Sequence, residues 1–163
     1  MTALLGIDLG ERRIGIAIAA DDGPAQPLTT LRRAKEPSGD AASLRGLIDI
    51  HAVTELVVGL PFEAAGHEGS QAALTRSWLA AVKHHLPEGL TLTLRDERLT
   101  SHLAEVRLGP MRRGRSGGPP SKSQRDAYRA RVDREAASII LQDELDARRV
   151  DPARSPASSE TRT

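Results

Sequence analysis

The chain has 163 residues, no cysteine, three aromatic side chains, and 23 basic against 22 acidic residues, which gives a formal net charge of +1. This length favours one domain with an aliphatic core, and the absence of cysteine excludes disulfides and cysteine-based zinc sites. No apolar run approaches the roughly 20 residues that span a bilayer, so we expect a soluble cytoplasmic protein. The scarcity of aromatic rings also disfavours a base-stacking platform for single strands.

Aliphatic runs and helical periodicity alternate along the chain and predict an α/β domain. The predicted elements, in chain order, are strands at 3–9, 13–20 and 27–31, a helix at 40–51, a strand at 55–60, a helix at 70–86, a strand at 90–96, and helices at 100–108 and 126–148. This order fits three antiparallel strands followed by right-handed crossovers to two parallel strands, with helices on both faces. We expect the domain to cover 1–149 and the polar residues 150–163 to form a disordered tail.

Positive charge is concentrated in one window, because residues 108–131 carry seven basic side chains and one acidic side chain. Within it, residues 110–124 read PMRRGRSGGPPSKSQ, with no apolar periodicity, which predicts a flexible basic loop. Loops of this length are often functional, although a solvated linker has the same composition. The candidate nucleic-acid contacts in this window are Arg112, Arg113, Arg115, Lys122 and Arg125.

Asp8 is an acidic residue inside the first apolar strand. A carboxylate at such a position is costly unless it binds a cation or a hydrogen-bond donor. The sequence leaves two interpretations open for Asp8: a functional ligand, or a structural acceptor for turn amides near Gly10 and for Arg12 or Arg13.

Two further acidic positions stand out near the ends of predicted elements. Asp96 and Glu97 end the last strand, and successive strand residues point to opposite faces, so only one of them can face a given site within the strand. Asp133 falls on the apolar stripe of the last helix, where alanines at 136 and 137 permit close approach to the sheet. A polar residue at the rim of that stripe is the structural alternative for Asp133.

Carboxylates without a thiol or histidine cluster suit hard cations such as Mg²⁺ or Mn²⁺. Two such ions can activate a water and stabilise the leaving oxygen during phosphodiester cleavage. The basic window would then bind the polyanionic substrate. The near-zero net charge therefore conceals an acidic centre and a basic surface, a division that is compatible with a nuclease.

Four segments of the chain resemble blocks of a known family: GIDLGERRIGIAIA (6–19), VVGLP (57–61), DERLTS (96–101) and VDREAASIIL (132–141). They are similar to the YqgF family, also called RuvX, whose members are described as Holliday junction resolvases and as nucleases that mature the precursor of 16S ribosomal RNA. The resemblance implies an RNase H-like fold with a five-stranded mixed sheet in the order 3-2-1-4-5 and helices on both faces. It also implies a metal-dependent nuclease acting on the 5′ end of pre-16S rRNA, on branched DNA, or on both.

Carried over by position, the resemblance places the catalytic and metal-binding carboxylates at Asp8, Glu97 and Asp133, with Mg²⁺ or Mn²⁺ as cofactor. The resemblance selects Glu97 over Asp96 only by analogy with the family's motif. Arg13 and Arg98 then become candidates for contacting phosphate or orienting Glu97, although a salt bridge is an equally good interpretation.

One block departs from the family pattern. After GLP the family usually has Asn, a variable residue, Asp and Gly, whereas this chain has FEAAG at 62–66. Glu63 is a possible replacement carboxylate, and an exposed loop glutamate is the simpler interpretation.

Two other classes of function remain open from the sequence. The IDLG segment also resembles the phosphate-binding start of actin-like ATPases and sugar kinases, but those proteins need two such domains and a longer chain. A nucleic-acid-binding factor with little catalysis is the other alternative. The partner in our preferred interpretation is RNA or DNA, bound by a monomer or a homodimer.

Overall fold

The structure is a computed structural model that describes residues 2–61, 69–97 and 100–155, apart from the side chain of Ser101. In this part of the chain five strands form one mixed sheet in the order β3-β2-β1-β4-β5. The strands are β1 (Ala3–Leu9), β2 (Arg13–Ala20), β3 (Gln26–Arg32), β4 (Val53–Pro61) and β5 (Thr91–Glu97). β1 pairs antiparallel with β2 and parallel with β4. The predicted sheet order is confirmed, and Asp8 lies on its central strand.

Helices cover both faces of the sheet, as predicted. The helices are α1 (Pro37–His51), α2 (Ser70–Lys83), α3 (Thr100–Leu108) and α4 (Lys122–Val150). One apolar core joins Leu44 of α1 and Trp78 of α2 to strand residues such as Ile7. A second core joins Ala137 and Ile140 of α4 to the opposite face. None of these helices is long and apolar enough to cross a membrane.

Helix α4 begins four residues earlier than the sequence pattern predicts. Ser121 and Gln124 form a capping box, in which the Ser121 hydroxyl accepts from the Gln124 amide and the Gln124 side chain accepts from the Ser121 amide. This arrangement satisfies amides that are otherwise unpaired at a helix start. Residues 122–124, which the sequence places in the basic loop, are therefore helical. Beyond α4, residues Pro152–Arg154 of the predicted tail form one turn of 3-10 helix.

Three strand glycines allow α4 to pack closely on the sheet. A Cβ atom on Gly15 would lie 1.9 Å from the backbone oxygen of Asp133, and one on Gly6 would lie 2.6 Å from that of Ala137. A Cβ atom on Gly59 would lie 2.5 Å from the Ile140 side chain. The two distances to backbone atoms are too short for any side chain, so Gly6 of β1 and Gly15 of β2 set how closely α4 approaches the sheet.

Buried ion pairs hold the C-terminal half of α4 against the sheet. Arg148 pairs with Glu55 of β4 at 2.5 Å and with Glu144 of its own helix at 3.0 Å. Thr93 of β5 also donates a hydrogen bond to Glu55 at 2.5 Å. Because Glu55 and Glu144 are both buried, these partners offset the cost of removing the two carboxylates from water. We call Glu55, Glu144 and Arg148 the arginine anchor.

Candidate active site

Asp8 faces α4 because of its register with Gly15. The two residues are cross-strand partners in β1 and β2, and such partners project to the same face of a sheet. Gly15 has no side chain, and the backbone of Asp133 occupies the space that a side chain would fill. The close packing of α4 therefore brings the Asp133 residue to the face on which the Asp8 carboxylate stands.

Register also decides between the two acidic residues at the end of β5. Arg95 contacts Glu144 of α4 at 3.4 Å, so its side chain lies on the α4 face of the sheet. Glu97, two residues further along the strand, lies on that face too. Asp96 points to the other side and is exposed. The structure therefore brings Glu97 to the side of Asp8 and Asp133.

The three carboxylates line one pocket of about 330 Å³ at the carboxyl ends of β1, β4 and β5. Its wall also includes Gly59 and Thr100. Ligands of open α/β sheets commonly bind outside the carboxyl ends of the strands. The pocket thus combines a concave shape with acidic side chains from three separate elements.

Burial leaves the Asp8 and Glu97 carboxyls poorly compensated. Loss of water raises the pKa of Asp8 from 3.8 to about 7, and the negative charge of Asp133 adds to the effect. Burial also raises the pKa of Glu97 from 4.5 to about 7, reinforced by the charge of Asp143 and opposed by Thr100 and Arg95. Carboxyls that resist ionisation at neutral pH are typical of sites that await a positive partner.

Among the described residues, Glu97 has one clear hydrogen-bond partner. The Thr100 hydroxyl donates to its Oε2 atom at 3.2 Å. Its Oε1 atom lies 3.5 Å from Nε of Arg95, but neither atom makes a hydrogen bond within the described chain, although both are buried. An unsatisfied buried oxygen of this kind calls for a functional explanation.

Arg13 forms an ion pair with Asp133, through its Nε atom. Of the roles that the sequence left open for Arg13, the structure supports the salt bridge, and it does not bring Arg13 to Glu97. The residue placed next to Glu97 is Arg95, which the sequence reading overlooked. Its signal was a charged residue inside an apolar strand, two positions before Glu97. Thr100 begins α3, and no local sequence signal predicts its contact with Glu97.

The donor chemistry of the pocket fits a hard divalent cation, since its charged ligands are carboxylate oxygens. The unsatisfied Glu97 Oε1 atom and the raised pKa of Asp8 are both features that a bound cation would relieve. Within residues 2–61, 69–97 and 100–155, however, no three acidic or histidine side chains are gathered closely enough to hold one ion. The ion pair with Arg13 occupies the Asp133 carboxylate instead.

The predicted nucleic-acid contacts of the 108–131 window lie apart from this pocket. Arg112, Arg113, Arg115, Lys122 and Arg125 are all exposed, and none of them lines it. Two of them also serve local structure, because Arg125 donates to the Pro120 carbonyl at 2.6 Å and Arg113 to the Gly117 carbonyl at 3.5 Å. Arg98 and Glu63 lie outside the described residues.

Comparisons of the sequence find a family profile and relatives whose descriptions are those of nucleases. The sequence profile of the RuvX family, described as Holliday junction resolvase, matches residues 2–147. A relative from Chloroflexus aurantiacus, named "Putative pre-16S rRNA nuclease", is 40% identical over 153 residues, which cover 93% of this chain and 92% of that one. A relative of the same name from Anaeromyxobacter dehalogenans is 39% identical over 145 residues, covering 88% and 96%.

A comparison of structures finds the same fold. The structure of T. thermophilus RuvC in complex with a Holliday junction substrate aligns with a TM-score of 0.51, covering 91% of this chain and 96% of that one. At 16% sequence identity this similarity concerns the fold alone. It confirms the RNase H-like architecture that the sequence resemblance implied.

Proposed function

The chain belongs to the RuvX family, and from this membership and its carboxylate pocket we propose that it is a nuclease that hydrolyses phosphodiester bonds with Mg²⁺ or Mn²⁺. The observation that carries the proposal is the convergence of Asp8, Glu97 and Asp133 on one pocket. The relatives' name favours the 5′ end of precursor 16S rRNA as the substrate, and the family description adds branched DNA. We expect such a protein to act in the cytoplasm, as a monomer or a homodimer.

In this proposal the residues have distinct roles. Asp8, Glu97 and Asp133 would hold the metal. Bound there, one or two divalent ions would activate a water and stabilise charge on the leaving oxygen. Thr100 keeps one Glu97 oxygen in place through its hydrogen bond. Arg13 holds Asp133 in the free protein and must share or release this carboxylate when a cation is bound.

A nucleic-acid-binding factor with little catalysis is the second candidate. The observation that favours it is the ion pair between Arg13 and Asp133, because a carboxylate held by a guanidinium is a weaker metal ligand. The two candidates differ in whether the pocket supports turnover, so one cleavage assay separates them.

The assay compares wild type with Asp8→Asn and Glu97→Gln on the 5′ leader of precursor 16S rRNA, a four-way DNA junction and single-stranded DNA, each with Mg²⁺ and with Mn²⁺. We expect both substitutions to lower the cleavage rate by more than about 100-fold, since residues that only support metal ligands already account for about 10- to 100-fold. Asp96→Asn is the matched control, because it removes a neighbouring carboxylate on the opposite face of β5. We expect it to cleave like wild type.

Three outcomes are informative. Loss of cleavage in the two pocket variants alone supports the nuclease. Equal cleavage by Asp8→Asn and wild type shows that the assigned centre is wrong. Binding of all three substrates by wild type without cleavage in either metal favours the second candidate.

A further inference from the structure

We propose that a basic cleft beside the carboxylate pocket binds the sugar-phosphate backbone of a nucleic-acid strand and leads it to that pocket. The proposal rests on the nuclease function proposed above and adds a binding surface to it. The cleft has a volume of about 480 Å³. Its basic side chains are Arg12, Arg13, Arg32, Arg33, Lys35 and Lys122, and its acidic ones are Glu11 and Asp126.

Two of these arginines are already used within the protein. Arg33 donates from Nε to the buried Asp40 carboxylate at 3.0 Å and from its terminal nitrogen to the Gly10 carbonyl at 2.8 Å. It thereby ties the turn between β1 and β2 to the start of α1. Arg13 is paired with Asp133. These contacts hold the side chains of Arg13 and Arg33 in fixed positions on one wall of the cleft.

The other four basic side chains are available to a ligand. Arg12, Arg32, Lys35 and Lys122 are exposed, and in the described part of the chain they form no ion pair. The backbone fixes their spacing: Arg13 and Arg32 are cross-strand partners, and the Arg33 amide donates to the Arg12 carbonyl at 2.9 Å. Positive charges held together in a concave surface concentrate an anionic ligand there.

Phosphodiester is the ligand chemistry that fits these groups. Guanidinium and ammonium donors bind phosphate oxygens through charge-assisted hydrogen bonds. No aromatic side chain is found among the described residues that line the cleft, so it offers no platform on which a base could stack. The cleft therefore suits recognition of the backbone, which positions a nucleic acid without reading its sequence.

Arg13 connects the cleft to the catalytic centre. It lines the cleft and pairs with Asp133, which lines the carboxylate pocket. Gly10 lines that pocket and accepts a hydrogen bond from Arg33 of the cleft wall. A phosphate that reaches Arg13 competes with Asp133 for the guanidinium. Binding of the strand in the cleft would thus help to free the third carboxylate.

The test measures binding separately from cleavage. Asp8→Asn serves as the parent, and the test variant adds Arg12→Gln and Arg32→Gln. A fluorescently labelled single-stranded RNA and a DNA of the same sequence are titrated at several salt concentrations. We expect the slope of log affinity against log salt to decrease in magnitude by about 1.4, because each phosphate contact on a single strand contributes about 0.7. The matched control adds Arg45→Gln and Lys83→Gln, which remove two exposed charges from α1 and α2, and it should keep the parent slope.

A slope equal to that of the control overturns the cleft as a binding surface. A second test variant with Lys35→Gln and Lys122→Gln covers the case in which the first variant folds poorly, as judged by its urea unfolding midpoint. Equal losses on RNA and DNA support recognition of the shared phosphodiester, and a loss on one polymer identifies the strand that the cleft binds. If the slope falls but wild type cleaves no substrate, the cleft stands and the nuclease proposal fails. If wild type cleaves and the slope is unchanged, the nuclease proposal stands and the cleft is not the binding surface.

Discussion

Acidic side chains are buried at two places under α4, and the two places differ in the partners that they provide for the carboxylates. In the arginine anchor, Glu55 and Glu144 each pair with the Arg148 guanidinium. In the carboxylate pocket, Glu97 has a buried oxygen with no hydrogen bond in the described chain, although Arg95, which also contacts Glu144 of the anchor, lies 3.5 Å from it. A buried carboxylate with a full set of partners is compensated within the fold, whereas one left short of partners is a candidate for chemistry.

The pKa values express the same difference. Burial alone would lower the pKa of Arg148, but its hydrogen bonds and charge interactions with Glu55 and Glu144 outweigh that effect and raise it. In the pocket the burial of Asp8 is not offset, and its pKa rises to about 7. Arg148 therefore keeps its positive charge over a wide pH range, whereas Asp8 and Glu97 change their charge near neutral pH.

The largest effect we expect comes from breaking the anchor with Arg148→Met. The substitution leaves Glu55 and Glu144 buried without their cationic partner, and removing one member of a buried ion pair typically costs about 3–5 kcal/mol. The free energy of unfolding, measured by urea denaturation at pH 7, should fall by that amount.

Arg149→Met is the matched control for the anchor. Arg149 is exposed and pairs with the exposed Asp146 at 3.4 Å, so its loss should cost less than about 1 kcal/mol. If both substitutions cost the same, the buried ion pairs do not stabilise α4, and the contrast between the anchor and the pocket fails.

The pocket predicts a stability effect of the opposite sign for Asp8→Asn. The folded state holds a proton on Asp8 up to about pH 7, and the unfolded state holds it only to about pH 4. The folded protein therefore binds more protons between these values, so this carboxyl lowers the stability as the pH rises through them. Without divalent ions, Asp8→Asn should be more stable than wild type at pH 8, by up to about 4 kcal/mol, and nearly equal to it at pH 4.

Urea unfolding of both proteins at several pH values, with a chelator present, measures this difference. Asp96→Asn, which changes an exposed carboxylate, should alter the stability by less than about 0.5 kcal/mol at each pH. A stability gain for Asp8→Asn that does not depend on pH would show that Asp8 is compensated in the folded state.

Many of the strands and helices that carry the anchor and the pocket can be predicted from the sequence. The aliphatic runs of β1 and β2 end where the structure ends them, because apolar side chains decide which segments enter a sheet. The positions of Asp8 and Asp133 on buried faces follow from period 2 in a strand and period 3.6 in a helix. The start of α4 was also readable from Ser121 and Gln124, but the Gly and Pro composition of the preceding residues led to the prediction of a longer loop.

The partners of the charged groups are not readable in the same way. Nothing local relates Arg13 to Asp133, which lie 120 positions apart. The choice of Glu97 over Asp96 depends on which side of β5 faces α4, and this requires the register with β4. The basic cleft is assembled from three separate segments, the β1–β2 turn, the end of β3 and the start of α4. Long-range packing, and not local pattern, determines which charges are paired.

The geometry of the pocket depends on a backbone approach that Gly15→Ala should break. The added Cβ atom would lie 1.9 Å from the Asp133 oxygen, so α4 or β2 must move. Overpacking of this kind typically costs about 1–3 kcal/mol. We expect a lower free energy of unfolding, together with a loss of cleavage activity, because Asp133 moves with the helix backbone.

Gly46→Ala provides the control for this substitution. Gly46 is an exposed glycine inside α1, and an added Cβ atom would meet nothing within 4 Å. Alanine favours the helix over glycine by about 0.5–1 kcal/mol, so this variant should gain stability. If Gly15→Ala is as stable and as active as wild type, the close approach of α4 does not position Asp133.

The smallest effect we expect concerns the Thr100 hydroxyl, and it tests how far this group offsets the burial of the Glu97 carboxyl. Thr100 donates to Glu97 Oε2 and so lowers the pKa of a carboxyl that burial raises to about 7. A single hydrogen bond is worth about 0.5–1.5 kcal/mol, so Thr100→Val should raise the pKa of Glu97 by about one unit or less, as measured by NMR titration of its carboxyl carbon in the metal-free protein. Thr100→Ser retains the hydroxyl and should restore the wild-type titration. If valine leaves the titration unchanged, the hydroxyl does not act on Glu97, and Arg95 alone opposes the effect of burial on this carboxyl.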